Sequence, residues 1–354
     1  MNRRAFLSLL PAVAAAKSVL AAAGAVAGSG RSRIGLCTFS CHQLWKVAQA
    51  GGQGAPFRDA SGFYRYARGL GAEGVQTSLR GFEAAGAREL RSQVEKDGGY
   101  LEGELGLPKP ETGLDAFEAE VRLLREAGIT VARTVLFGGR RYETLRTLDE
   151  FQRFRADSEK RLRWAEPVLR RQGLHLAVEN HKDFTSDELA GLMRGIGSEW
   201  VGVCVDTGNN LALLEDPNAV VETLAPYLLS VHFKDMAVQV CDDGFLLSEV
   251  PLGTGVLDLK RMVAALRGRN PDVVFNLEMA TRDPLNVPCL TDGYYSTFPE
   301  RRAARLEKTM AWVRSHPPAQ PPPSVTGKEM AGILREEESN NRQGLSWMHQ
   351  HVLG

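Results

Sequence analysis

The sequence has no surplus of either charge. Lys plus Arg and Asp plus Glu each number 43, so no basic excess points to nucleic acid or to an anionic membrane surface. A cysteine framework is also missing. The five cysteines, Cys37, Cys41, Cys204, Cys241 and Cys289, are odd in number and form no CxxC. They read as buried thiols rather than as disulfides or a zinc site. No glycine fingerprint follows the first strand, and no glycine-rich phosphate cradle is present. Those two absences count against a dinucleotide-binding open sheet and against a phosphorylated ligand.

What remains is ordinary globular composition. With 43% hydrophobic and 24% charged residues, the 354-residue chain can bury a large core. Its first thirty residues are set apart. "MNRRAFLSLLPAVAAAKSVLAAAGAVAG" carries Arg3 and Arg4, then an Ala-rich apolar stretch ending in Ala25-Val26-Ala27. This reads as a twin-arginine export signal with a small-x-small cleavage site, placing the mature protein in the periplasm or outside the cell. The alternative is an uncleaved anchor, but Lys17 interrupts the apolar run and no stable membrane anchor is expected.

From residue 31 the pattern alternates. Short apolar strands are predicted at 33–39, 73–79, 100–107, 130–137, 174–180, 200–209, 228–235 and 272–280. Between them lie amphipathic helices at 61–71, 82–99, 114–128, 147–173, 186–197, 216–227 and 257–268, several ending in glycine. Ser186 is read as one helix cap and Asp258 as another. A helix at 299–316 is expected to close the series. Eight such repeats in about 285 residues imply a closed (β/α)8 barrel rather than an open sheet. The expected organisation is a signal at 1–30 and a catalytic barrel at 31–316. A Pro-rich linker and C-terminal extension follow at 317–354, with one short helix around "GKEMAGILREEES".

In such a barrel, functional groups sit at the C-terminal ends of strands. The last four strands end in Glu179, Asp206, His232 and Glu278. The first three are 27 and 26 residues apart, about one βα unit per step; the last gap is 46, stretched by an insertion around "CDDGFLLSEVPLGTG". One acidic strand end is unremarkable. Three carboxylates and an imidazole on successive strands would repel one another without a cation. Carboxylates alone suit Mg²⁺; the added His shifts the preference toward Mn²⁺, Co²⁺ or Zn²⁺, with Mn²⁺ the expected ion.

"AVENH", "VCVDTGN", "VHFKD" and "NLEM", with "LGTGVLDL" at 252–259, resemble the xylose isomerase-like TIM-barrel superfamily, also called the sugar phosphate isomerase/epimerase family. The resemblance covers residues 31–316 by element order. It implies one divalent metal held by Glu179, Asp206, His232 and Glu278, with Glu179 and Glu278 as acid and base. The implied chemistry is isomerisation or epimerisation of a carbohydrate through an enediolate. A lyase or hydratase acting on 3-keto-glycosides or related polyols is the alternative, as is an exported sugar-binding barrel without turnover. Where many members carry a His on strand six, this chain has Asn209, and His181 is the candidate to compensate. Relatives that cleave phosphodiesters use more His ligands, and here there are seven His in all.

Substrate-binding candidates are His181, Lys182, Asn209, Lys234 and Arg282. Arg133 and Arg282 stand near strand ends, where each binds a carboxylate or is simply solvated. Asp235 is expected to fix Lys234 or the neighbouring helix. Phe39, His42 and Trp45 follow strand one and form either an apolar wall for a sugar ring or core packing. The expected partner is a small carbohydrate, with a homo-oligomer as a further expectation.

Overall fold

Side chains that alternate along each strand sort themselves between a helix-covered face and a narrow lumen. The computed structural model describes residues 30–52, 54–109, 113–298 and 302–353. The expected export signal lies outside the described residues except for Gly30. Seven strands come first: β1 (Arg33–Cys37), β2 (Gly74–Thr77), β3 (Tyr100–Glu104), β4 (Val131–Thr134), β5 (His175–Glu179), β6 (Val201–Asp206) and β7 (Leu228–Phe233). A hairpin of β8 (Asp235–Cys241) and β9 (Gly244–Val250) follows, then β10 (Val274–Leu277) and the short β11 (Leu285–Val287). Strands one to seven and ten close in the order β1-β10-β7-β6-β5-β4-β3-β2, all parallel. The expected eight-stranded barrel is therefore present.

On β5, Leu176 and Val178 join the main apolar cluster; on β6, Val201, Val203 and Val205 do so, and on β7, Leu228, Val231 and Phe233. Among the other residues of these strands, Glu179, Asp206, Ser230 and His232 are buried and polar. Glu102 is the hub: its Oε2 accepts from Gln76 Nε2 at 2.9 Å, Ser230 Oγ at 2.6 Å and Asn276 Nδ2 at 2.8 Å. Tyr100 donates to Asn276 Oδ1 at 2.9 Å. The Tyr100 ring fits only because β1 and β2 present glycines to it: a Cβ on Gly74 would stand 2.4 Å from its Cδ1. Burial raises the Glu102 carboxyl, and its three donors pull it back.

The outer helices are α1 (His42–Gln49), α2 (Ala60–Gly69), α3 (Ala84–Lys96), α4 (Leu114–Glu126), the single turn α5 (Arg141–Thr144), α6 (Leu148–Gln172), α7 (Ser186–Ile196), α8 (Pro217–Leu224) and α9 (Leu259–Arg269). Local chemistry sets their ends. Thr147 caps α6 by accepting from Glu150 N at 3.1 Å, and Gly173 ends it in left-handed backbone. The cap of α7 is Thr185 rather than Ser186. Thr185 and Glu188 form a reciprocal capping box, while Ser186 bonds Glu215. Asp258 caps α9 as expected, accepting from Arg261 N at 3.2 Å. Among the described residues no helix is long and apolar enough to cross a membrane.

Two parts of the chain depart from the sequence reading. The insertion after β7 is the hairpin β8–β9, which β11 joins in a second sheet, β11-β9-β8, antiparallel throughout. It has its own apolar cluster, and the next helix, α10 (Arg302–Ser315), packs there through Met310 and Val313. The helix expected to close the barrel therefore covers the small sheet instead. The barrel's last wall is α11 (Met330–His351), 22 residues long where a short helix was expected. Ile333, Leu345 and Met348 enter the main core, as does Val352 just beyond the helix. Gly344 lies against β10, where a Cβ would come within 2.6 Å of Leu277 Cδ2.

Glu337 of α11 accepts from Gln43 N at 2.8 Å and Leu44 N at 3.0 Å, so it caps α1 across the fold. Burial pushes its carboxyl from 4.5 up to about 7, against those two donors. The folded chain thus keeps a proton there that the unfolded chain releases above 4.5. This contribution to stability is complete below pH 4.5 and is lost as pH rises through about 7. Between pH 5 and pH 8 it amounts to about 3 kcal/mol. Urea melts at the two pH values should show Glu337→Gln less stable at pH 5 but with a flatter pH dependence than wild type. Equal slopes in the two proteins would refute the assignment.

Candidate active site

The carboxylates at the tips of β5 and β6 and just past β10, with the imidazole of β7, meet at one point above the lumen. Ligand atoms of Glu179, Asp206, His232 and Glu278 all lie within 4.8 Å of one another, and all four residues are buried. Strand register brings this about. Asp206 pairs with His232 across β6 and β7. His232 pairs with Asn276 across β7 and β10, and Glu278 N then donates to Phe233 O at 3.0 Å.

His232 is oriented from below. Gln76 gives its amide N–H to Glu102, so its Oε1 faces His232 Nε2 at 2.6 Å and accepts from it. That places the lone pair of Nδ1 toward the cluster. Nδ1 stands 2.5 Å from Glu278 Oε2 and 3.3 Å from Glu179 Oε2. Burial would lower the imidazole's affinity for a proton, but Cys204, Glu179 and Glu278 outweigh it and hold His232 well above its ordinary range. A proton and a metal ion compete for the same lone pair.

Neighbouring groups tether one oxygen of Asp206 and of Glu278 and both oxygens of Glu179. Asp206 Oδ1 accepts from Gly208 N at 2.9 Å and Asn209 N at 2.7 Å. Glu179 Oε1 accepts from Asn209 Nδ2 at 2.9 Å, while Arg133 pairs with Oε2. Glu278 Oε1 faces Lys234 Nζ at 3.2 Å. Asp206 Oδ2, His232 Nδ1 and Glu278 Oε2 make no hydrogen bond, although charged groups approach them. Three buried atoms left without hydrogen bonds, beside the carboxylate of Glu179, form a donor set that fits one divalent ion.

The charges around the cluster set its protonation. Burial works to raise Glu179, but Arg133 and His232 hold it below the usual carboxylate range. Lys234 and His232 do the same for Glu278. Asp206 is raised to about 6 by burial in spite of Lys234 at 2.9 Å.

The other candidates fall into two groups. Asn209 is a bridge: its Oδ1 accepts from both Lys182 and Lys234, and its Nδ2 holds Glu179. His181 sets Nδ1 against Phe137 O at 3.0 Å, and burial lowers it to about 4. Arg133 and Arg282 are not solvated surface groups. Arg133 pairs with Glu179, and Arg282 forms a two-pronged pair with Glu249, Nη2 to Oε1 at 2.6 Å and Nε to Oε2 at 3.1 Å. Phe39 stays exposed beside Arg282 and stacks on His42, whereas Trp45 packs with Phe57 and Phe63. Asp235 does not hold Lys234. Its carboxylate accepts from Gly253, Gly255 and Leu257 N–H groups, and a Cβ on Gly255 would meet Asp235 Oδ1 at 2.3 Å. The "LGTG" segment is thus a cradle around Asp235.

Several residues of the site have no acidic strand-end signature. Gln76 and Glu102 act from inside the lumen. Cys37, at the tip of β1, forms a second close group with His232 and Glu278; asking what ends strand one would have found it. Glu249 comes from β9, in a segment whose strands the sequence reading had not assigned. A cavity of about 400 Å³ over the ends of β2, β3 and β4 is lined by Arg80, Glu104 and Arg133 and reaches Glu179 through that arginine.

A family model described as a xylose isomerase-like TIM barrel matches residues 64–316. A curated protein of Pectobacterium atrosepticum, 3-oxo-isoapionate decarboxylase, is 31% identical over 108 residues, or 30% of this chain. The match spans 39% of that relative's length. Among solved structures, an L-ribulose 3-epimerase superposes with a TM-score of 0.57 at 15% identity, over 91% of this chain and 94% of that one. D-psicose 3-epimerase from Clostridium cellulolyticum H10, solved with D-tagatose, gives 0.58 at 13%, over 91% and 100%. A 3-keto-D-glucoside 4-epimerase from E. coli gives 0.51 at 16%, over 80% and 100%. At these identities the likeness to the solved structures is one of fold.

Proposed function

The chain belongs to the xylose isomerase-like TIM-barrel family, and on that premise we propose that it is a divalent-metal-dependent isomerase or epimerase of a carbohydrate. The observation that carries this reading is the meeting of four ligand atoms within 4.8 Å, three of them without a hydrogen bond. Glu179, Asp206, His232 and Glu278 hold the ion. When bound, it supplies positive charge to neighbouring substrate oxygens and so stabilises an enediolate.

The chain's own groups do the proton chemistry. Glu179 and Glu278 are both held ionised, so either can take a proton from a carbon next to a carbonyl. Delivery of a proton to the other face, by the second glutamate once it has taken one from solvent, gives epimerisation; return of the abstracted proton to the neighbouring carbon gives isomerisation. Asn209 and Arg133 fix Glu179, and Lys234 fixes Glu278. The Arg3-Arg4 pattern supports export, and with it a substrate that carries no phosphate. A second reading, a lyase on keto-sugars or related polyols, is favoured by the decarboxylase relative.

The test begins with metal analysis by mass spectrometry on protein spanning residues 31–354. About one divalent ion per chain is expected, lost in Asp206→Asn. D-psicose, D-tagatose and D-fructose are then incubated in deuterated water, and deuterium should enter next to the carbonyl. A chain that takes up none of Mn²⁺, Co²⁺, Zn²⁺ or Mg²⁺ sinks the proposal. A new product without deuterium retained in the starting sugar favours the lyase.

A further inference from the structure

The mechanism above leaves one buried cation unused. Lys182 follows β5 at the mouth of the site and is 4% exposed. Its ammonium meets Asn209 Oδ1, an acceptor it shares with Lys234. Among the described residues no carboxylate lies within ion-pair distance of it. The other three cations differ: Arg133 has Glu179, Lys234 has Asp206 and Glu278, and Arg282 has Glu249.

Backbone geometry singles out the same residue. Lys182 has φ 64, one of two non-glycine residues in the left-handed region among those described. Its carbonyl accepts from Arg141 N at 3.0 Å, which pins the conformation. Strain of this kind persists where the surroundings over-determine it, and it clusters at ligand clamps.

Pairing says what is missing. Arg133 answers Glu179, Lys234 answers Asp206 and Glu278, and Arg282 answers Glu249, while the buried ammonium of Lys182 faces an amide oxygen. A buried surplus of positive charge is costly unless an anion joins it. We infer that the substrate is a polyhydroxy acid whose carboxylate is held by Lys182. This rests on the metal-dependent reading above and names its substrate class. Lys234 already has its carboxylate partners and Arg282 is occupied by Glu249, so Lys182 is the cation free to take the group. A neutral sugar would leave it unpaired.

The test uses the full chain loaded with Mn²⁺, its metal content measured first. D-gluconate is titrated calorimetrically beside D-glucitol, the neutral alcohol with the same carbon skeleton. Wild type should bind gluconate about tenfold or more tighter than glucitol. A carboxylate also prefers the metal itself, so the decisive result is the variant. Lys182→Asn keeps a residue at home in left-handed backbone and removes the charge. It should lose most of the preference with glucitol affinity unchanged, and Lys182→Arg should retain it. Thermal melts confirm that both variants fold. If the preference survives in Lys182→Asn, or if wild type binds the two alike or gluconate not at all, the inference is overturned while the metal reading stands. A chain without metal overturns both, and that is seen before any titration.

Discussion

Glu179→Gln and Glu278→Gln should each lose exchange of the substrate proton with one epimer and keep it with the other. General acid–base groups contribute about 10²- to 10⁴-fold, so the affected epimer should fall by that factor in deuterium wash-in. The asymmetry follows from the arrangement. The two carboxylates belong to β5 and to the segment just past β10, with the strands that carry Asp206 and His232 between them. On the proposed reading a carbon bound between them would meet one carboxylate on each side. Both are held in the charged form, Glu179 by Arg133 and His232, and Glu278 by Lys234 and His232. Each is therefore a ready base, and its partner takes a proton from solvent before it supplies the opposite face. An amide keeps an oxygen for a metal but cannot accept the proton, so metal content should change less than exchange does. If both variants exchange both epimers at the wild-type rate, neither carboxylate is a base.

The second large effect is on stability. A chain ending at Glu329 loses α11, and with it four apolar side chains from the main core: Ile333, Leu345, Met348 and Val352. Burying each contributes about 1.5–3 kcal/mol, or about 6–12 kcal/mol together. A whole domain is stable by only about 5–15 kcal/mol. The loss also strips Glu337 from the start of α1 and Asn341 from Ser40 O. The shortened chain should show no cooperative urea transition and should bind a hydrophobic dye. A transition within a few degrees of wild type in a thermal melt would show that α11 is dispensable.

That helix also marks where sequence reading stops. The eight barrel strands were legible because each is a short apolar run alternating with helices, several of which end in glycine, a purely local pattern. Which helix closes the ring is a question about distant contacts. Both α10 and α11 are amphipathic, and the proline run between them looks like the end of a domain. Only packing shows that Gly344 sits on Leu277. The hairpin was less hidden than it seemed: Asp243-Gly244 lies between two apolar-rich segments, a turn signal that went unread.

The site divides along similar lines. Glu179, Asp206, His232 and Glu278 stood out because charge at the tip of an apolar strand needs a reason. Gln76 carries no charge, and Cys37 looks like any buried thiol. Arg133 and Arg282 were indistinguishable from surface arginines until their partners were known. Asn209 read as a missing histidine. In the structure it is the shared acceptor of two lysines and the tether of Glu179.

The small sheet has a consequence for inheritance. Glu249 is a carboxylate beside the cluster that no barrel strand supplies; it arrives on β9, pairs with Arg282 and stands 3.8 Å from Lys234. The hairpin leaves the ring directly after β7, and its return through "LGTG" is anchored on Asp235 rather than on any ligand of the cluster. Lengthening, shortening or exchanging that hairpin rewrites the charge around the mouth while the strand ends stay in register. A lineage can therefore change what it accepts without relearning how to move a proton, and descendants of one barrel can diverge in diet while sharing one chemistry.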